Sequence, residues 1–390
     1  MTGGRVVIIG AGLIGLSTAR ALTARGVDDV LVLERATLAS GGTGKSSGVV
    51  RCHYGVPSLA AMAWRSLPTF EALGETVGFR QVGYLVAVGP QNVPALRATT
   101  SMHQQLGIDV ELISHERAAE LWPYLRLDDV AAFGYEPRGG YGDAAQLASH
   151  FGARARDGGA RIRQGTPVAR VLTRGDAVTG VELAGGDVVD ADVVVVAAGW
   201  WSRALLAGAG VELPVTSVHS ELIVVDAGEP LRGLPVLSDL VSLQYARVEG
   251  SGRLLVGNSD HSRPAYADPD DYPNRASEAG LEQAAAKVLH RFAGFPSPAV
   301  ASSYAGCYDV TPDWNPVIAP VGAAGLIVAA GFSGHGFKIS PAVGDLLADL
   351  VLDGDSRDPD IPAADFRLER FAAGTPLTSR FPYASAGEMR

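Results

Sequence analysis

The sequence predicts an α/β fold in two parts, a discontinuous Rossmann-like domain and a mainly antiparallel β-sheet domain with helices. Three observations predict it. The chain opens on an apolar run, RVVIIG, that leads into a glycine triplet and an amphipathic stretch. Comparable apolar runs ending in glycine turns return much later, at DADVVVVAAGWW and GLIVAAGFSG. Between these runs lie segments in which apolar and polar residues alternate, the period of half-buried strands.

The elements follow in order. Val6–Ile9 reads as a central parallel strand, apolar on both faces. A helix is expected from about Leu13 to Arg25, with Leu13, Leu16, Ala19 and Leu22 on its buried face and Gly26 as its stop. VLVLER, residues 30–35, is the next strand. Residues 57–80 read as helical, and 82–112 carry mixed signals. Asp143 is placed as the N-cap of a helix that leads to a short strand. GTPVARVLTRGDAVTGVEL alternates as an antiparallel hairpin. SELIVVD and LQYARVEGSGRLLVGNSD read as strands of a second sheet, with the turn at 250–252. Residues 264–273 read as a surface loop and 277–292 as a helix. Near the end, Ser340 is expected to cap a helix that opens on Pro341 and buries Val343, Leu346, Leu347 and Leu350. The nucleotide domain is accordingly expected at 1–83, 141–214 and 305–357, the substrate domain at 84–140 and 215–304, and a C-terminal extension at 358–390.

Composition narrows the function. The net charge of -10, without blocks of like charge, argues against nucleic acid and anionic membrane surfaces as partners. Apolar runs are far shorter than the ~20 residues of a membrane span. Two cysteines, Cys52 and Cys307, cannot build a disulfide framework. No basic-then-apolar leader opens the chain, so a cytoplasmic enzyme is expected.

Gly10, Gly12 and Gly15 stand in G-A-G-L-I-G between strand and helix. Gly10 permits the tight turn, Gly12 the approach of a pyrophosphate, and Gly15 close packing of strand on helix. The helix N-terminus at Leu13 and Ile14 offers backbone N–H groups to phosphates. Glu34 closes the second strand, where a carboxylate can accept hydrogen bonds from both ribose hydroxyls of an adenosine. FAD and NAD share this signature.

Further stretches decide between them. GGTGKSSGVVRCHYG (41–55), VVVVAAGWWS (193–202) and YAGCYDVTPDWNPVIAP with LIVAAGFSGHGFKISPAVG (304–344), together with the N-terminus, resemble the D-amino-acid oxidase-like FAD-dependent oxidoreductases, the group that includes the sarcosine and glycine oxidases. The resemblance covers nearly the whole chain. It implies one FAD, held by Gly10, Gly12, Leu13, Ile14, Gly15, Glu34, Arg35, Thr43, Ser46, Ser47, Val168, Ala198 and Gly199 at the dinucleotide end. At the ring end it implies Gly331, Gly334, His335, Gly336, Phe337 and Lys338. It also implies a substrate carboxylate held by Arg51 and Lys338, the latter one of only three lysines in the chain. Tyr245 and His53 are added as candidates for the substrate side. The family's flavin-linking cysteine falls on Gly306, one residue before Cys307, and one step along a strand turns a side chain to the other face. Non-covalent FAD is therefore expected.

The chemistry so implied is oxidation of the C–N bond of an amino acid, or of an N-alkyl or cyclic amino acid, with hydride passing to flavin N5 and an imine as product. The family's oxygen-assisting lysine falls at about Leu255, where none stands, so the acceptor is open between O2 and another oxidant. A 2-hydroxy-acid dehydrogenase on the same fold, with His53 or His335 as base, and a beta-like subunit of a hetero-oligomeric amine dehydrogenase are the alternatives. Homo- or hetero-oligomers both fit.

Overall fold

The computed structural model describes residues 4–384, and the chain divides into two compact units. The first takes the chain as far as Ser46, then Asp143–Ser217 and Tyr308–Leu377. The second takes Ser47–Gly142, Val218–Cys307 and the chain from Thr378.

The first unit is built on a six-stranded sheet in the order Val317–Pro320, Leu326–Ala330, Val193–Val196, Val6–Ile9, Val30–Leu33, Arg161–Arg163. All neighbours are parallel except the first pair. The central strands are buried at every position, which is why their sequences are unbroken apolar runs. The alternating segment forms a three-stranded antiparallel sheet of Val168–Arg174, Ala177–Leu183 and Val188–Asp190. Asp143 caps the helix Ala144–Asp157 by accepting from Ala145 and Gln146 N–H.

Two helices, Leu13–Ala24 and Gly336–Leu352, pack tightly. A Cβ on Gly344 would sit 2.2 Å from Ser17 Oγ, so only glycine admits this approach. Arg20 pairs with Asp345 at 3.0 Å and Arg25 with Asp349 at 2.5 Å. These contacts advance together along both helices, so the helices are parallel. Each follows a parallel strand of the same sheet, so both N-termini lie at its carboxyl edge.

The second of these helices departs from expectation. It starts at Gly336, with His335 at the N-cap, and Pro341 lies inside it. Ser340 does not cap it. Proline lacks the N–H that would bond Phe337 O, and Ser340 Oγ donates to that carbonyl instead, at 2.9 Å. The hydroxyl repairs the ladder locally, and the helix extends a turn further back. Val343, Leu346, Leu347 and Leu350 are buried as expected.

The second unit centres on a nine-stranded, mainly antiparallel sheet. Its order is Ala265–Tyr266, Thr216–Asp226, Leu254–Asn258, Gln244–Val248, Val236–Asp239, Tyr84–Val88, Ala132–Glu136, Glu111–Ile113, with Ala299–Val310 also paired to Thr216–Asp226. The mixed region 82–112 resolves into Tyr84–Val88, the helix Val93–Gln105 and Glu111–Ile113. Residues 47–83, expected with the nucleotide domain, are tied into this unit instead. Val49–Val50 pairs with Gly140–Tyr141, and Gly83 N donates to Gly139 O at 2.9 Å. Buried Arg291 joins Asp239 and Asp129, both at 2.7 Å, clamping the helix Glu278–Arg291 to the sheet.

The expected C-terminal extension is divided. Arg370, in the first unit, bonds Asp313 at 2.7 Å. Tyr383 is buried in a cluster of the second unit with Tyr84, Val86 and Leu96. Residues 385–390 of that expectation lie outside the described residues.

Candidate functional site

In the first unit the structure brings the glycine triplet, Glu34 and Thr43 together. Gly10 has φ of 107°, and a Cβ there would meet Ala197 O at 2.4 Å. A Cβ on Gly15 would fall 2.0 Å from Gly10 O. The turn is thus as tight as backbone allows. The Glu34 carboxylate accepts from Ala11 N at 2.9 Å through one oxygen and from Ala36 N at 2.8 Å through the other. Each carboxylate oxygen keeps acceptor capacity after one such bond. Thr43 Oγ1 accepts from Leu13 N at 3.1 Å, tying the 41–46 loop to the helix N-terminus, while Ile14 O accepts from Thr18 Oγ1 at 2.8 Å inside the helix. Ser46 N closes the short helix by donating to Thr43 O.

Arg35 lays its guanidinium 3.7 Å from the centroid of the Trp201 ring, and Gly41 packs against the same ring. Gly199 has φ of 56°, and Ser202 Oγ accepts from Ala198 N at 3.1 Å. Val168 opens its strand opposite Leu183. These residues form a glycine-lined cradle at the carboxyl edge of the sheet, with a helix N-terminus and a carboxylate in place. Phosphates and a ribose fit such a donor and acceptor set.

The loop 331–335 precedes the second parallel helix. Asp309 holds it. Its Oδ2 accepts from Gly331 N at 2.7 Å, and its carbonyl from Ser333 N at 2.9 Å. Burial pushes the Asp309 carboxyl up to about 6, with the Gly331 and Phe332 N–H groups pulling it back. Gly331 and Gly334 have φ of 76° and 83°; added Cβ atoms would lie 2.3 Å from Thr311 and 3.0 Å from the Tyr308 ring. His335 is the N-cap, and Gly336, Phe337 and Lys338 form the first helical turn. Lys338 is buried and donates to Gly334 O at 3.4 Å.

Of the expected residues in the second unit, Ser47 accepts from Arg247 Nε through its carbonyl. Tyr245 faces Gly257 across the ladder, where a Cβ would strike the tyrosine ring, and packs against Leu222, Val224 and Leu255.

Arg51 is 5 % exposed. Its guanidinium carbon lies 4.2 Å from the Tyr54 ring centroid and 5.8 Å from that of Tyr84, and its Nη1 has no hydrogen-bond partner. Burial works against its charge, and Tyr84, Tyr54 and Glu136 outweigh that and hold it protonated. His53 lies in the same cluster, with Nε2 2.9 Å from Tyr383 Oη and Nδ1 3.9 Å from Glu136 Oε1. Glu136 accepts from Cys52 N at 2.8 Å. Sequence reading missed Tyr54, Tyr84, His103 and Glu136 here, and Asp309 and Trp201 in the first unit. Glu136 had one signal, a lone acid closing the apolar strand AFGYE.

The fold and the cradle define a dinucleotide-binding protein. The chain matches the FAD dependent oxidoreductase family over residues 5–350, and it belongs to that family; its cofactor is FAD. It is 31% identical over 385 residues to 4-methylaminobutanoate oxidase (formaldehyde-forming) of Paenarthrobacter nicotinovorans, covering 94% of this chain and 46% of that one. It is 28% identical over 380 residues to sarcosine oxidase subunit beta of Arthrobacter sp, covering 95% and 91%. Among solved structures, L-proline dehydrogenase from P. horikoshii superimposes with a TM-score of 0.87 at 25% identity, over 95% of this chain and 98% of that one. Glycine oxidase from Geobacillus kaustophilus does so with 0.79 at 25% identity, over 97% and 99%. The chain thus spans about half the length of some curated relatives and nearly all of others. No helix among the described residues is long and apolar enough to cross a membrane.

Proposed function

We propose that this protein oxidises the C–N bond of a small amino acid, N-alkyl or cyclic amino acid, giving an imine. The observation that carries the reading is Arg51, a buried cation between two tyrosine rings with a donor left open. A buried guanidinium with an unsatisfied N–H is costly unless an anion completes it. A planar carboxylate matches its fork. The relatives' names agree in chemistry: 4-methylaminobutanoate, sarcosine, proline and glycine each carry one carboxylate and one amine nitrogen.

In this reading FAD, when bound, supplies the acceptor for the hydride that leaves the substrate's α-carbon. The residues of the chain bind and orient. Gly10, Gly12, Leu13, Ile14, Gly15, Glu34, Arg35, Thr43, Ser46, Ser47, Val168, Ala198 and Gly199 are assigned to the dinucleotide end, and Gly331, Gly334, His335, Gly336, Phe337 and Lys338 to the ring end. Arg51 is assigned to the substrate carboxylate, with Lys338 as its second cation. Tyr245 and His53 are assigned to the substrate side. The cofactor is held without a covalent bond: acid precipitation should leave yellow flavin in the supernatant, and flavin retained in the pellet would reject this.

The test of function is an anaerobic panel of amino acids, N-methyl amino acids, cyclic amino acids and 2-hydroxy acids, followed through flavin absorbance. Bleaching by amino acids is expected; bleaching only by 2-hydroxy acids overturns the reading. The match along 91% of a sarcosine oxidase subunit beta favours a second reading, in which this chain works as one subunit of a larger enzyme. Bleaching by the chain purified alone decides between the two.

A further inference from the structure

Near Arg51 lies a group of buried polar side chains, two of which, His103 and Glu136, have no part in the proposed reaction. His53, His103 and Glu136 are all buried, and one ligand-capable atom of each lies within 4.8 Å of the others. They come from the segment after Val49–Val50, from the helix Val93–Gln105 and from the strand Ala132–Glu136. Their protonation states follow from their contacts. His103 Nε2 lies 2.8 Å from the carbonyl of Tyr54, an acceptor only, so Nε2 carries the proton. His103 Nδ1 is then a bare lone pair, and it has no hydrogen-bond partner. One oxygen of Glu136 takes the Cys52 N–H, and the other, Oε1, has no hydrogen-bond donor. Two buried acceptors of this group therefore lack a donor.

Resting on the assignment of Arg51 to the substrate carboxylate, we propose that Glu136 makes anion binding proton-linked: a carboxylate taken by Arg51 enters together with one proton from solvent, which is carried on Glu136 Oε1. No electron moves, and the only bond formed is that O–H. Like-charge repulsion favours it. Without ligand, Arg51 and an ionised Glu136 attract one another. A carboxylate on the same guanidinium adds a second negative charge near Glu136, which raises the cost of its ionised form. Protonation of Glu136 removes that repulsion. A divalent cation on the same three ligands is opposed by the neighbouring guanidinium charge.

The groups facing Glu136 agree with this. Arg51, Cys52, His53 and Tyr54 come from one segment, His103 from the helix, and Tyr84 is its partner on the adjacent strand. Tyr383 faces His53 from the far side, and Arg138, two residues along, is engaged by Glu71 at 2.6 Å. Burial pushes the Glu136 carboxyl up to about 7, with the Cys52 N–H and the Arg51 charge pulling it down. An anion on Arg51 cancels part of that pull and raises the carboxyl further. Burial pulls His103 down to about 4, the Tyr54 carbonyl opposing this and Arg51 adding to it, so His103 remains neutral at neutral pH and does not take the proton.

The test uses the FAD-loaded enzyme and propionate, which has a carboxylate and no amine. Binding is measured calorimetrically from about pH 6 to 9, in two buffers of different ionisation enthalpy, which together count protons. Wild type should take up close to one proton per propionate near pH 8, and its Kd should rise by up to about tenfold per pH unit above neutrality. Glu136→Gln should bind propionate without proton uptake and with a flat pH profile. At about pH 8.5 it should bind more tightly than wild type, which a merely structural role would not produce. Arg51→Ala should lose propionate binding in either background. If it binds like wild type, the assignment of Arg51 has failed. If binding needs Arg51 but uptake is absent, or persists in Glu136→Gln, that assignment stands and the proton linkage is overturned.

Discussion

The two units use buried polar groups in opposite ways. In the first, Glu34, Thr43 and Asp309 each bind nearby backbone. Glu34 holds Ala11 and Ala36 N–H, Thr43 holds Leu13 N–H, and Asp309 holds Gly331 N–H. In the second, Arg51, Tyr54, Tyr84, His53, His103 and Glu136 gather from separate elements, and although Glu136 and His103 each bond one backbone group, Nη1 of Arg51 and Oε1 of Glu136 are left open. The first arrangement shapes a rigid cradle whose geometry is fixed by backbone. The second stores unsatisfied charge, which a ligand can complete. Damage to the first should lose cofactor, and damage to the second should keep cofactor and lose substrate.

The largest effect should come from Gly10→Ala. The new methyl meets Ala197 O and forces an L-residue to a φ of 107°. Strain of about 3 kcal/mol at the turn should leave a chain that purifies with little or no FAD, read as flavin per protein. Full occupancy would place the cofactor elsewhere. Next is Arg51→Ala. Loss of one buried charged contact should cost about 2–4 kcal/mol in kcat/KM, or ~30- to 1,000-fold, with FAD content unchanged. Arg51→Lys should not rescue fully, because a point charge does not replace the fork. Loss of FAD in Arg51→Ala would erase the distinction between the units.

A smaller effect concerns stability. The folded-state value of Glu136, about 7, lies above the ordinary carboxylate value. The folded state therefore holds its proton longer than the unfolded chain, and stability falls as pH rises between about 4.5 and 7. Glu136→Gln should match wild type near pH 4.5 and exceed it at pH 8 by up to about 3 kcal/mol in denaturant unfolding. Equal stability at pH 8 would show that the carboxyl is not held in a charge-averse site. The smallest effect is expected from Tyr245→Phe, a change in kcat/KM of less than about tenfold, the worth of one neutral hydrogen bond near 1 kcal/mol.

The contrast also explains what the sequence disclosed. The first unit's cradle depends on residues close together in the chain, such as Gly10 to Gly15 with Glu34, and on backbone conformations that only glycine permits. Local spacing reveals both. The Arg51 cluster gathers residues 51–54, 84, 103, 136 and 383 from separate elements, and no local pattern records that meeting. Resemblance supplied Arg51, and His53 was added for standing two residues after it, but their partners emerged only from the fold. The start of the last long helix was misread because Ser-Pro is a common opening signal, and the hydroxyl's repair of the Phe337 carbonyl is visible only in three dimensions. The segment 47–83 follows the nucleotide strands in sequence, yet its hydrogen bonds go to residues of the second unit, among them 139–142, Glu136 and Arg247.

The central claim is that a buried guanidinium, together with bound FAD, selects a carboxylate-bearing amine. It is tested most directly by mixing the wild-type enzyme anaerobically with one substrate amino acid found in the panel and with its primary amide. The account predicts rapid loss of the oxidised flavin band with the acid and a rate lower by ~30-fold or more with the amide, a preference that Arg51→Ala should largely abolish. Equal bleaching by acid and amide in wild type would contradict it and would make a simple amine the substrate class.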